Sequence, residues 1–169
     1  MMIKNEFLKI LGIIFFIVSL FTIYKIRINP QDSYWFLLLI TIICISTDIG
    51  GYIFGKFFGG PKLTKLSPNK TYAGMIGSFL LSIIITILFF ELTLSIYNFR
   101  FTEETFIFVL AVSLVSQMGD IIISYFKRLS KIKDTGNIIP GHGGILDRID
   151  GMIFAYPFSY LVLLNWNFQ

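Results

Sequence analysis

The chain has 169 residues, of which 55% are hydrophobic and 14% charged, and its mean hydropathy is +0.77. A water-soluble domain carries roughly 25% charged and roughly 45–50% apolar residues, so this composition excludes an ordinary soluble domain and points to lipid as the surrounding solvent. The net charge of +4 sits mostly in two segments between apolar blocks. The total therefore says little alone; a nucleic-acid surface is disfavoured because lipid would bury about half of the chain, and the single cysteine, Cys44, excludes an intramolecular disulfide.

Five apolar blocks follow along the chain, at 7–24, 34–54, 73–90, 105–126 and 152–166. Each reaches or approaches the length of about 20 residues that a helix needs to cross a hydrocarbon layer, the last being the shortest. They lack strand-like alternation, and a spanning segment must satisfy its own backbone hydrogen bonds, so helices are predicted. The expected fold class is all-α: a polytopic membrane protein of about five transmembrane helices. One membrane-embedded domain is expected over 1–169, with 1–33 an N-terminal span and loop and 34–169 the catalytic region. The first block begins among Lys4 and Lys9 but lacks a small-x-small cleavage site and runs into Lys25 and Arg27. A retained span is expected there, not a cleaved signal peptide.

The loops set an orientation. Lys56, Lys62, Lys65 and Lys70 lie between blocks two and three, and Lys127, Arg128, Lys131, Lys133 and Arg148 between blocks four and five. The hairpin between blocks three and four sets Arg100 against Glu91, Glu103 and Glu104. Basic loops stay in the cytoplasm, which puts these two loops and the N-terminus inside, although Lys25 and Arg27 argue the other way. The expected location is the bacterial inner membrane, multi-pass, with the polar site open to the cytoplasm.

Asp48 lies toward the inner end of block two and Asp120 inside block four. An intramembrane carboxylate is costly to insert and normally faces a polar interior with a partner. On block four Ser113, Ser116, Gln117, Asp120, Ser124 and Lys127 recur at three- and four-residue steps, and on block two Thr41, Cys44, Asp48, Gly51 and Gly55 do the same. Each set makes one face of a helix. The plain alternative for the small residues is helix packing, and Gly55 and Gly59 even have GxxxG spacing.

Two loop clusters complete the candidates. Ser67-Pro68-Asn69-Lys70-Thr71 brings hydroxyls and an ammonium to a helix start, a natural phosphate cradle. Lys56, Lys62 and Lys65 fit simple attraction to anionic headgroups. The stretch from Pro140 to Asp150 holds His142, Gly143, Gly144, Asp147, Arg148 and Asp150. Asp147 and Asp150 are three apart and on a helix would share a face, and carboxylates of this kind suit Mg²⁺, a hard cation that bridges to phosphates. The alternative for the four aspartates is pairing with loop lysines. One Cys and one His cannot make a zinc site, and no Walker loop or Ser/His/Asp arrangement is present. Carboxylates for a divalent metal, cations for phosphates and a membrane setting indicate phosphoryl or nucleotidyl transfer on a lipid.

These residues resemble the phosphatidate cytidylyltransferase (CDP-diacylglycerol synthase) family. The run from Ser124 to Asp150, with Lys127-Arg128, Lys133-Asp134, Gly136, Pro140, His142-Gly143-Gly144, Asp147-Arg148 and Asp150, fits the family signature at every fixed position. Asp48 to Gly59 and Ser67 to Thr71 look like two further family elements. The chain departs at Ala73, where the family often has an acidic or amide residue, and at Ile123, where it often has Glu. Most bacterial members also carry several more N-terminal spans.

The resemblance implies transfer of CMP from CTP to phosphatidic acid with Mg²⁺, a second cation such as K⁺, membrane lipids around the protein, no nucleic-acid partner, and a homodimer. It carries over Asp120 and Asp147 as metal-binding aspartates supported by Asp150, with Lys70 beside them in the catalytic set. Ser67 and Thr71 match the phosphate-contacting element. Asp48, Lys127, Arg128, His142, Gly143, Gly144 and Arg148 are the further substrate-binding candidates. The alternatives are a cytidylyltransferase for another lipid phosphate, a cation transporter and an inactive paralogue.

Overall fold

The structure is a computed structural model that describes residues 2–28, 33–64, 70–93, 100–130 and 146–165. They form five helices: α1 (Met2–Ile28), α2 (Ser33–Phe58), α3 (Tyr72–Leu92), α4 (Glu103–Leu129) and α5 (Leu146–Asn165). Each expected block lies within one of them, except that Trp166 falls outside the described residues. There is no strand among the described residues beyond a single bridge, so the chain is an all-α polytopic membrane protein. Tyr34–Phe58, Tyr72–Leu92 and Glu103–Leu129 are long and apolar enough to cross a membrane, and Ile149–Leu164 is a shorter apolar stretch. Large apolar side chains such as Ile17, Phe21, Ile76, Ile84, Ile107 and Leu161 stand exposed on the outside, where hydrocarbon instead of water would cover them.

Glycine sets the closest helix contact. α2 and α3 form the most extensive pair. A Cβ on Gly50 would come 2.5 Å from the Gly77 carbonyl oxygen, and one on Gly74 would come 2.7 Å from that of Gly51. Between membrane helices there is little hydrophobic drive, and small residues let backbones approach until dispersion holds them. Gly59 has no such role. It has a φ of 59°, Gly60 a φ of 95°, and nothing stands within 4 Å of a Cβ on either. The two glycines end α2 in left-handed backbone that other residues avoid, so Gly59 takes no part in packing, while Gly55, 3.3 Å from where a Cβ on Gly74 would stand, joins Gly50, Gly51, Gly74 and Gly77 at the contact.

Core and cavity occupy opposite halves of the bundle. Leu39, Ile40 and Ile43 from the first half of α2 are fully or almost fully buried with Phe90 at the end of α3, Phe108, Val109 and Val112 from the first half of α4, and Tyr156 of α5. Thr41 shares a 2.8 Å hydrogen bond with the Tyr156 hydroxyl, which satisfies the polar end of that ring. The other half, where α2 and α4 end and α3 and α5 begin, holds the cavity and its charged residues.

Candidate active site

Between α2 and α3 the chain turns on Gly59 and Gly60 and comes back antiparallel, bridging Lys62 to Thr71. The Leu63 amide donates to the Lys70 carbonyl at 2.7 Å and the Tyr72 amide to the Pro61 carbonyl at 3.2 Å. Thr71 then caps α3: its backbone is extended, and its Oγ1 accepts the Gly74 amide at 3.1 Å. This satisfies one of the four amides left without partners at a helix start. The bridge and the cap together aim Lys70 at the centre of the bundle.

There Lys70 Nζ forms an ion pair with Asp120 Oδ2 of α4, and it reaches the Gln117 carbonyl at 3.5 Å. Ser124, one turn further along α4, donates to Asp120 Oδ1 at 3.3 Å. One turn beyond that, Lys127 meets Asp150 Oδ2 of α5 at 3.4 Å. Asp150 Oδ1 also accepts the Gly151 amide at 2.9 Å. Of the stripe expected on α4, Gln117, Asp120 and Ser124 are joined through Lys70 and Lys127 pairs with Asp150, while the Ser116 hydroxyl is buried without a hydrogen-bond partner among the described residues. At the inner end of the stripe Thr47 of α2 donates to Ser113 at 2.8 Å, Gln117 Nε2 reaches the same Ser113 oxygen at 3.4 Å, and Ser78 of α3 donates to the Thr47 carbonyl at 2.7 Å.

A cavity of about 290 Å³ lies among these groups, lined by residues of α2, α3, α4, α5 and the loop before α3. Asp48, Gly51, Lys70, Thr71, Asp120 and Asp150 are among its walls, so most of the expected site residues in the described parts share one space. Lys127 reaches it through Asp150, while Arg128 is exposed and is not among the lining residues. Ser67, His142, Gly143 and Gly144 lie outside the described residues, as do the side chains of Asp147 and Arg148. The backbone of both belongs to the first turn of α5, so Asp147 precedes Asp150 by three residues on one helix.

Thr47, Ser78, Leu63, Met75 and Tyr52 also line the cavity without having been singled out as site residues. Thr71, Met75 and Ser78 stand at helical spacing, a signal that the apolar run of α3 obscured. Among the described residues no three potential metal-ligating side chains come together; two carboxylates from different helices, Asp120 and Asp150, do share the cavity with Asp48. Such oxygen donors fit a hard divalent cation.

The model of the Cytidylyltransferase family matches residues 2–166. The chain belongs to this family. A phosphatidate cytidylyltransferase of Rickettsia bellii is 37% identical over 157 residues, which cover 90% of this chain and 68% of the relative. Those of Bacillus subtilis and Staphylococcus haemolyticus are 36% and 37% identical over 83% and 80% of this chain, but over only 52% and 51% of their own lengths. This cytidylyltransferase-family chain therefore spans between about half and two thirds of the relatives it matches.

Proposed function

We propose that the chain transfers CMP from CTP to phosphatidic acid, giving CDP-diacylglycerol and diphosphate, at a cavity open to the cytoplasmic face of the inner membrane. The observation that carries the reading is the cavity itself, in which Asp120, Asp150 and Lys70 from separate elements meet in a membrane-embedded bundle. The family and the phosphatidate cytidylyltransferase names of its relatives support the substrate assignment. The lysines of the loops beside the cavity support the cytoplasmic side.

In this reaction an oxygen of the lipid phosphate forms a bond to the α-phosphorus of CTP, and the bond from that phosphorus to the bridging oxygen of the diphosphate breaks. A phosphate monoester is already a competent nucleophile, so the residues need not supply a strong base. The difficulty is bringing two polyanions into contact, and catalysis comes from positioning and charge neutralisation. Lys70, at the start of α3, would hold triphosphate oxygens, with Thr71 fixing where that start lies. Asp120 and Asp150 would hold Mg²⁺, with Asp147 as a further ligand. When bound, the cation supplies charge neutralisation and orientation of the phosphates. A lipid would enter sideways between exposed apolar helices and CTP from water.

The test is an assay of the purified protein with labelled CTP and defined lipids. Product is expected with phosphatidic acid and Mg²⁺, and none when Mg²⁺ is chelated. Product from a polyprenyl phosphate in place of phosphatidic acid would redirect the substrate assignment, and ion flux in liposomes without CTP turnover would replace the reading.

A further inference from the structure

The two lysines of the site sit on the groups that a divalent cation would take. Lys70 is 25% exposed against an Asp120 at 28%, and Lys127 is 12% exposed against an Asp150 at 7%. Each ammonium offsets one carboxylate, the arrangement in which charges are tolerable away from water, and Asp48, a third carboxylate on the cavity wall, leaves the set one negative charge in excess. An ammonium held at a carboxylate repels a dication approaching the same oxygens, and at low dielectric that repulsion is far stronger than in water. A dication bound at Asp120 and Asp150 brings the same charge as the two ammoniums together. It can replace both as counter-ion, and the lysines then add a surplus of positive charge to the cavity.

We infer that Lys70 and Lys127 are exchangeable counter-ions, neutralising Asp120 and Asp150 until a divalent cation binds and then handing them to it. This rests on the reading above that the cavity takes a cation and a polyphosphate. Lys70 immediately precedes the Thr71 cap of α3, so once released from Asp120 its ammonium stands at a helix start, where oxygens of an anion are already favoured. The cavity becomes an anion receptor only after the cation is in place. By linkage, cation and phosphate each raise the affinity for the other. Lys127 is in this sense a positioning residue that acts through Asp150, while Lys70, once released, meets the phosphate itself; together they decide when the site carries positive charge.

Mn²⁺ binding to the full chain in detergent, followed by electron paramagnetic resonance without nucleotide, tests the exchange. Lys70→Met removes the competing ammonium and is expected to tighten Mn²⁺ binding by about tenfold, within the usual range of coupling between sites; Asp120→Asn is expected to weaken it. Unchanged or weaker binding in Lys70→Met overturns the inference. Should Lys70→Met not fold, the wild-type chain carries the test: an amine reagent is expected to label Lys70 and Lys127 faster with saturating Mn²⁺ than without, and equal or slower labelling overturns it. A protein whose Mn²⁺ binding tightens on Lys70→Met but that makes no cytidine-linked lipid keeps the exchange and loses the functional reading. One that makes the lipid while its Mn²⁺ affinity does not move loses the exchange alone.

Discussion

Lys70, the last residue before the cap of α3, is ion-paired to Asp120 in the middle of the polar face of α4. The pair ties the loop after α2 to the far wall of the cavity and sets a cation against an anion there. Replacing Lys70 by Met is expected to lower the turnover of CTP by about 10²–10³, as removal of one preorganised electrostatic contact does. Lys70→Arg should recover part of it; steady-state rates with saturating lipid check both.

Lys127 and Asp150 form the more buried of the two pairs. Lys127→Met leaves a carboxylate without its counter-ion in a poorly hydrated place and is expected to destabilise the protein by about 3 kcal/mol. Adding Asp150→Asn removes the stranded charge and should restore most of that loss. Thermal unfolding of the three variants in the same detergent is the measurement.

The contact of α2 with α3 has no room for a side chain at Gly50, where a Cβ would meet the Gly77 carbonyl oxygen at 2.5 Å. Gly50→Val should destabilise the fold by about 1–3 kcal/mol through overpacking. Gly12→Ala meets nothing within 4 Å and should stay within about 0.5 kcal/mol of wild type. Unfolding curves of the pair separate a packing role from a general effect of losing glycine.

Thr71 caps α3 through Gly74. Thr71→Ala is expected to cost about 1 kcal/mol of stability and, by loosening the turn that aims Lys70, to raise the KM for CTP more than that for the lipid. Thr71→Ser keeps the capping oxygen and should restore both.

Much of this architecture was legible in the residues. Long apolar blocks announce the helices because lipid offers the backbone no other partner, and the stripes on α2 and α4 announce a polar interior because Asp48 and Asp120 have no tolerable place facing hydrocarbon. Helix ends were less legible. α5 begins at Leu146, six residues before its apolar block, because hydropathy marks what meets lipid and a helix continues into polar residues. The share of α3 in the cavity was hidden for a different reason. Ser78 looks like one more small residue in an apolar run until the glycine contact with α2 brings it against the Thr47 carbonyl. Which lysine meets which aspartate depends on how α4 packs against the start of α3 and against α5, and no spacing within one helix encodes it. Arg128, adjacent to Lys127, illustrates the limit: one residue further along α4 turns its charge out of the cavity.

Asp120 and Asp150 are proposed to hold the cation for nucleotidyl transfer to a lipid phosphate. The most direct test of this assignment is the rate at which purified Asp120→Asn and Asp150→Asn form labelled CDP-diacylglycerol from CTP and phosphatidic acid with Mg²⁺, each shown to be folded by an unchanged elution profile. The account predicts a fall of at least about 10²-fold for Asp120→Asn and a clear loss for Asp150→Asn. Near-normal rates in both variants would contradict it.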